Sequence, residues 1–166
     1  MATLTTNVNY LQPTGFSVTI NRENYPNLEY FAQSVQHPSI DVSAVEMPFR
    51  RVNAPIVGDK IQFGQVSFNF LVDEEMNTYN EIYDWMKRFV ESPQVTSTDA
   101  FRDTLIPTES DITVSILSSH NNVVKRIKYY SAFPISIGDI EFTTQSGDVT
   151  PITFNAAFRF VYFELV

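Results

Sequence analysis

Apolar and polar residues alternate with a period of two over several short stretches of this chain, as in strands with one buried face. Phe16, Val18 and Ile20 alternate with Ser17 and Thr19. After a turn over 21–27 that contains Pro26, a second run passes through Leu28, Tyr30, Ala32 and Ser34, with Phe31 and Val35 on its other face. The clearest run is Val66, Phe68, Phe70 and Val72, which ends in Asp73-Glu74-Glu75. Later, Ile112, Val114 and Ile116 form a strand, Ser119-His120-Asn121-Asn122 turns, and 123–130 returns as the second arm of a hairpin. A short strand is expected over 137–142, after Phe133-Pro134. A long last strand carries Ile152, Phe154, Ala156, Phe158, Phe160 and Tyr162 on one side, with Asn155, Arg159 and Val161 on the other.

One stretch changes period. Tyr79, Ile82, Tyr83, Met86, Phe89 and Val90 recur at helical spacing, with Trp85 widening the stripe. Asn80, Glu81, Asp84, Lys87 and Arg88 take the opposite face, where Asp84 and Arg88 lie one turn apart. Thr78 and Glu81 have the spacing of a capping box. These features predict a surface helix laid on a sheet.

Residues 37–59 follow neither pattern. Pro38, Pro48 and Pro55 bracket Ile40, Val42, Val45, Met47 and Phe49, and Arg50-Arg51 follow. The stretch is too apolar for a solvated loop and too rich in proline for a central strand. It reads as an extended, edge-like excursion in need of a partner, closed by a turn at Val57-Gly58-Asp59-Lys60. Residues 1–15 read as an N-terminal arm and 92–110 as a long Ser/Thr/Pro-rich loop. The predicted class is mainly β, a β-sandwich or small barrel with one flanking α-helix in a single domain over 1–166.

Composition narrows the function classes. Of 166 residues, 43% are hydrophobic and 18% charged, which suits one domain with its own core. The 14 Phe and 8 Tyr favour strands, and serve equally as contacts between subunits. A net charge of −8 argues against a broad basic surface for nucleic acid or anionic membrane. Cysteine is absent, which removes disulfides and thiol chemistry. No apolar run approaches the roughly 18 residues of a membrane helix, and the N-terminus lacks the pattern of a secretory signal. A soluble, reduced, intracellular or assembled setting is the expectation.

Candidate chemistry is sparse. His37 and His120 have no neighbour at metal-ligand spacing. Asp73-Glu74-Glu75 lacks the turn and spacing of a calcium loop and reads as acids ahead of a helix N-terminus. Gly58-Asp59-Lys60 shares only its residue types with a phosphate loop. No catalytic residue, metal site or cofactor is expected, and an enzyme is the remotest class.

The order of several segments resembles the tail tube proteins of contractile-tailed, T4-like bacteriophages. They are Phe16-Ser17-Val18-Thr19-Ile20, Leu28 to Val35, Val57-Gly58-Asp59-Lys60, Phe68 to Glu74, Tyr79 to Met86, Phe133-Pro134, and Phe158 to Glu164. The resemblance covers most of the chain and implies a structural virion protein. Six copies would close a ring whose strands join a continuous inner β-barrel, and stacked rings would form the tube inside a contractile sheath. Implied partners are further copies of the chain, the sheath protein, baseplate and tail-terminator proteins, and DNA passing through the lumen without specific binding. Membrane is not among them. The implied setting is the virion, with assembly in the host cytoplasm.

By this analogy residues 45–60 make a contact between subunits or rings, through Met47, Phe49, Arg50, Arg51 and Lys60. The alternative is a strap over the chain's own sheet. Lumen-facing acids would come from Glu29, Asp41, Glu46, Asp73 and Glu141. Related readings are a baseplate tube-initiator or terminal ring, and the tube of a contractile injection or secretion system. A monomeric small β-barrel binding protein is the remote alternative.

Overall fold

The computed structural model describes residues 11, 13–21, 23–88, 108–143 and 150–166. The arm over 1–15 and the loop over 92–110 therefore fall mostly outside the described residues, as do Phe89 and Val90. The described chain runs β1 (Phe16–Thr19), α1 (Pro26–Tyr30), β2 (Ala32–Gln36), β3 (Ile40–Phe49), β4 (Val52–Phe63), β5 (Val66–Leu71), α2 (Asn77–Lys87), β6 (Ser110–Leu117), β7 (Val123–Ile137), β8 (Thr153–Arg159) and β9 (Tyr162–Leu165). The class is mainly β, as the alternation predicts.

Seven strands form one antiparallel system in the order β1-β6-β7-β8-β5-β2, with β9 also on β7. The fifteen-residue β7 joins its halves: its first part lies between β6 and β9, its last part beside β8. Two register shifts make this bend possible. Tyr129 faces Ile112 but Ala132 faces Ser110, which leaves one extra residue near Ser131, at φ 51. A second extra residue falls between Pro134 and Ser136. Bulges of this kind turn a strand sharply. The short strand expected over 137–142 does not form: β7 already ends at Ile137, and 138–143 continue as irregular chain.

The core is aromatic. Phe68, Phe70, Phe154 and Phe158 pack edge and face across β5 and β8, and are fully buried. Trp85 stacks on Tyr25 at 4.5 Å, packs against Phe158, and donates its indole N–H to the Thr108 carbonyl at 2.7 Å.

Three local expectations are corrected. The second strand begins at Ala32, because Pro26 opens a short helix there; proline suits a first helical turn. The capping box does not form. Helix α2 starts two residues earlier than that box requires, with Met76 at its N-cap, and the Asp73 carboxylate accepts from the Thr78 N–H (3.0 Å) and hydroxyl (2.7 Å). Glu81 instead reaches α1, where its Oε1 accepts from the Asn27 side-chain amide (2.6 Å) and, more weakly, from the Asn27 N–H (3.4 Å). The long last strand breaks at Phe160-Val161, where the chain crosses from β8's pairing to β9's place beside β7. On α2 the buried residues are Thr78, Ile82 and Trp85, while Tyr83 is exposed. Asp84 pairs with Lys87 (3.2 Å), and Arg88 donates to the Tyr25 hydroxyl (2.9 Å).

The proline-bracketed excursion is a separate two-stranded hairpin, β3 with β4. Its turn is Arg50-Arg51, and Gly58-Asp59-Lys60 lies within β4. Pro48 faces Asn53 and Pro55 faces Glu46, two pairs of the same parity. Each proline ring nitrogen then points to an outer edge, and no ladder hydrogen bond is lost.

Candidate functional site

The hairpin is the most unusual surface of the subunit. Both its strands are exposed along almost their whole length, ten residues in β3 and twelve in β4. At about 3.3 Å per residue, β3 alone extends roughly 30 Å. Its root is anchored firmly. The Gly64 N–H donates to the Ser39 carbonyl (2.9 Å), and Phe63 packs on Phe160 and Phe163. His37, just before the hairpin, meets the hydroxyl of fully buried Tyr129 through Nδ1 at 2.8 Å and sets its ring edge-on to Phe163. Partial burial of the imidazole lowers its pKa, and deep burial raises that of the Tyr129 phenol.

Directly paired residues share a face of a two-stranded ribbon. Near the root, Ile40, Val42, Ile61 and Phe63 occupy one face. Near the tip, Val45, Met47, Phe49, Val52, Ala54 and Ile56 occupy the other. The apolar stripe thus changes sides at the irregularity between Val42 and Ala44. There Gly58 lies so close to the Ser43 backbone that a Cβ would collide with it. Phe49 is 64% exposed and Val52 71%, which is costly for a surface meant to stay in water.

Met47, Phe49, Arg50, Arg51 and Lys60 all lie on this hairpin, the arginines at its tip. Arg50 is in the left-handed region at φ 56, with its guanidinium 5.9 Å from the Phe49 ring. The apolar residues missed by sequence reasoning are Val52, Ile56 and Ile61, which continue the same excursion beyond Arg51. A turn placed at 57–60 concealed that they pair with the preceding arm.

The acids considered for a lumen do not converge. Asp41 and Glu46 lie on β3, where Ser39 and Asn53 donate to them at 3.2 and 3.0 Å. Glu29 is on α1, Asp73 follows β5 and Glu141 follows β7. The Asp73 carboxylate is occupied by the start of α2, and its pKa is lowered: desolvation opposes this, and the hydrogen bonds from Thr78 and the backbone outweigh it. Glu81, beside it, has its pKa raised by burial, and its Oε2 has no hydrogen-bond partner among the described residues. Elsewhere, Lys128 is held to Asp111 at 2.9 Å, which raises its pKa, and Tyr130 donates to Glu164 at 3.0 Å. An open cleft is lined by Asn21, Glu109, Ser110, Asp111 and Ser131. Strands β1, β2 and β9 each leave one edge without a paired strand among the described residues.

The family model of the phage tail tube protein matches residues 2–165. The chain belongs to that family. It is a structural tube subunit. No curated protein sequence matches this tail tube protein. Among solved structures, it is similar to a chain of the sheath-tube complex of an extracellular contractile injection system (17% identity, 96% of this chain and 93% of that one, TM-score 0.66). It is similar to a chain of the anti-feeding prophage tube terminating cap (17%, 96% and 93%, 0.67) and to one of that particle's baseplate (11%, 98% and 97%, 0.65). At these identities the likeness is one of fold.

Proposed function

We propose that six copies of this tail tube protein close into a ring and that rings stack into the inner tube of a contractile phage tail, the conduit for DNA ejection. The observation that carries the reading is the hairpin, whose apolar residues are exposed on two opposite faces of a single subunit. Such a ribbon is stable as part of an assembly, where neighbours cover both faces. Ring closure would also cover the open edges of β1, β2 and β9, which otherwise invite aggregation.

In this reading Met47, Phe49, Arg50, Arg51 and Lys60 make contacts between subunits or rings, and residues 45–60 are the working part of a hairpin over 40–63. The arm over 1–15 and the loop over 92–110 remain parts of one tail-tube domain. The net charge of −8, repeated around a ring, repels phosphate, so DNA slides through without being read. Glu29, Asp41 and Glu46 are the acids we retain for the lumen. The chain acts without catalysis or cofactor. Its partners are a sheath protein, a baseplate and a terminator, the parts among which the similar chains sit in their own particles. The setting is the virion, after assembly in the host cytoplasm.

Those similar chains come from contractile injection particles, which favours a second reading: a tube subunit, initiator or terminal ring of such a particle with a different cargo. Electron microscopy of the purified chain over a concentration series tests assembly. Rings with a central hole and stacked tubes are expected; a monomer at every concentration overturns the reading. Electrophoretic mobility of DNA mixed with the tubes tests the lumen. Free migration is expected, and retention at physiological salt overturns the non-binding conduit.

A further inference from the structure

Register and charge divide the subunit into two unlike ends. β5 and β7 both run antiparallel to β8, so both leave the sheet at the end where β8 begins. There β5 opens into Asp73-Glu74-Glu75, and β7 opens into Gly138-Asp139-Ile140-Glu141-Phe142. Glu74, Glu75, Asp139 and Glu141 are exposed, and Phe142 is 70% exposed. The hairpin departs from the opposite end, after Gln36 of β2 and before Val66 of β5. Its tip is Phe49, Arg50 and Arg51, and neither arginine has an ion-pair partner among the described residues. Glu46, the acid nearest to them in sequence, accepts from Asn53 at 3.0 Å, as Glu75 at the other end accepts from Asn77 at 3.1 Å.

We propose that the hairpin tip of one copy docks on the acidic end of a second copy in the adjoining ring, with Arg50 and Arg51 pairing with Glu74, Glu75 and Glu141 while Phe49 packs against Phe142. This rests on the stacking reading above and names both sides of its contact. The occupant is a second copy because the two surfaces match in sign, each beside an exposed aromatic ring, and lie at opposite ends of one molecule. A contact between unlike surfaces is heterologous, and one that does not close on itself propagates as an open stack. The same charges set the direction of stacking. A reversed ring would place tip arginines against tip arginines, or acids against acids, and like charges facing each other reject that partner. Arg50 fits this role: its left-handed backbone would be relaxed as glycine, yet the position carries a guanidinium.

The test uses the full chain and two charge-reversed variants, Arg50→Glu with Arg51→Glu, and Glu74→Arg with Glu141→Arg. All four positions are solvent-exposed, so thermal unfolding of both variants should follow the wild type. By electron microscopy each variant alone should give rings but no tubes, or need at least a tenfold higher concentration to stack. An equimolar mixture should recover tubes, because each variant's tip now matches the other's acidic or basic end. A chain carrying all four substitutions should recover them too. Tubes from either variant alone at the wild-type concentration overturn the proposal, as does failure of both the mixture and the combined chain to recover stacking. Wild-type tubes that ignore the tip reversal defeat this inference alone, whereas a wild type that never stacks defeats the reading beneath it and the proposal with it.

Discussion

Replacing Phe49 by Ser separates subunit stability from assembly. In the free subunit the Phe49 ring is 64% exposed and faces Val52 across the ribbon, away from the core. Losing that one cross-strand pair costs at most about 1 kcal/mol, equivalent to a shift in Tm of roughly 2–4 °C for a chain of this size. If the tip is a contact between rings, as proposed, assembly would cover the exposed two-thirds of the Phe49 ring. Full burial of a phenylalanine side chain is worth about 1.5–3 kcal/mol, so each copy would lose about 1–2 kcal/mol of stacking energy. In the proposed six-membered ring, six copies would act together at each junction, which multiplies the loss to about 6–12 kcal/mol. At 1.4 kcal/mol per decade, ring-on-ring association should weaken by a factor of about ten thousand or more. Differential scanning fluorimetry should find the subunit nearly unchanged, while sedimentation and electron microscopy find rings without tubes. A Tm lower by some 8 °C or more would mean that Phe49 packs within its own subunit as a strap. Normal tubes with a normal Tm would mean that the tip stays in water after assembly.

Three further outcomes are expected. The depressed pKa of His37 means that the unfolded chain takes up a proton first as pH falls through its ordinary value near 6.5, so stability should decline below that pH down to the folded-state value; urea midpoints across pH 5–8 should show this slope, and Tyr129→Phe with His37→Phe should remove it. Glu81 titrates in the opposite sense, since burial raises its pKa and its ionised form is disfavoured in the fold; Glu81→Gln keeps an acceptor for Asn27 and should be neutral or stabilising at pH 7–8, whereas a loss above about 2 kcal/mol in urea denaturation would contradict that account. Gly58→Val drives a side chain into the Ser43 backbone and should disorder the hairpin without unfolding the sheet, seen by faster amide exchange confined to 40–63; an unchanged exchange pattern would refute the close approach.

The parts of the fold legible in the sequence were those governed by local period. Val66 to Phe70 alternates strictly and is buried at every second position, as expected of a strand with one face on the core. Helix α2 was equally visible, but its cap was not, because Asp73 acts from before the first turn and Glu81 answers to Asn27, 54 positions away. Distance in sequence also hid the division of the last strand, since Phe160 and Tyr162 continue the alternation while the backbone between them crosses to a new partner. The hairpin is legible in the sequence as apolar, extended and proline-marked, but its turn is not, because Gly58-Asp59 looks more like a turn than Arg50-Arg51 does. The contact candidates Met47, Phe49, Arg50, Arg51 and Lys60 came together on one element. The acids considered for the lumen scattered, because single carboxylates carry no periodic signal of where they face.

Pro48 and Pro55 bear on the life of the chain before it joins a tube. A long apolar ribbon with two open edges is a ready template for further strands, and a tube needs the chain in many copies at once. Each proline removes one outward-pointing donor, Pro48 from one edge and Pro55 from the other, so neither side offers an unbroken ladder to an arriving strand. Neighbours are left to recognise the ribbon by its faces, where shape, side chain and charge must all agree. Free subunits can then accumulate without seeding fibres, and polymerisation waits for a surface that fits.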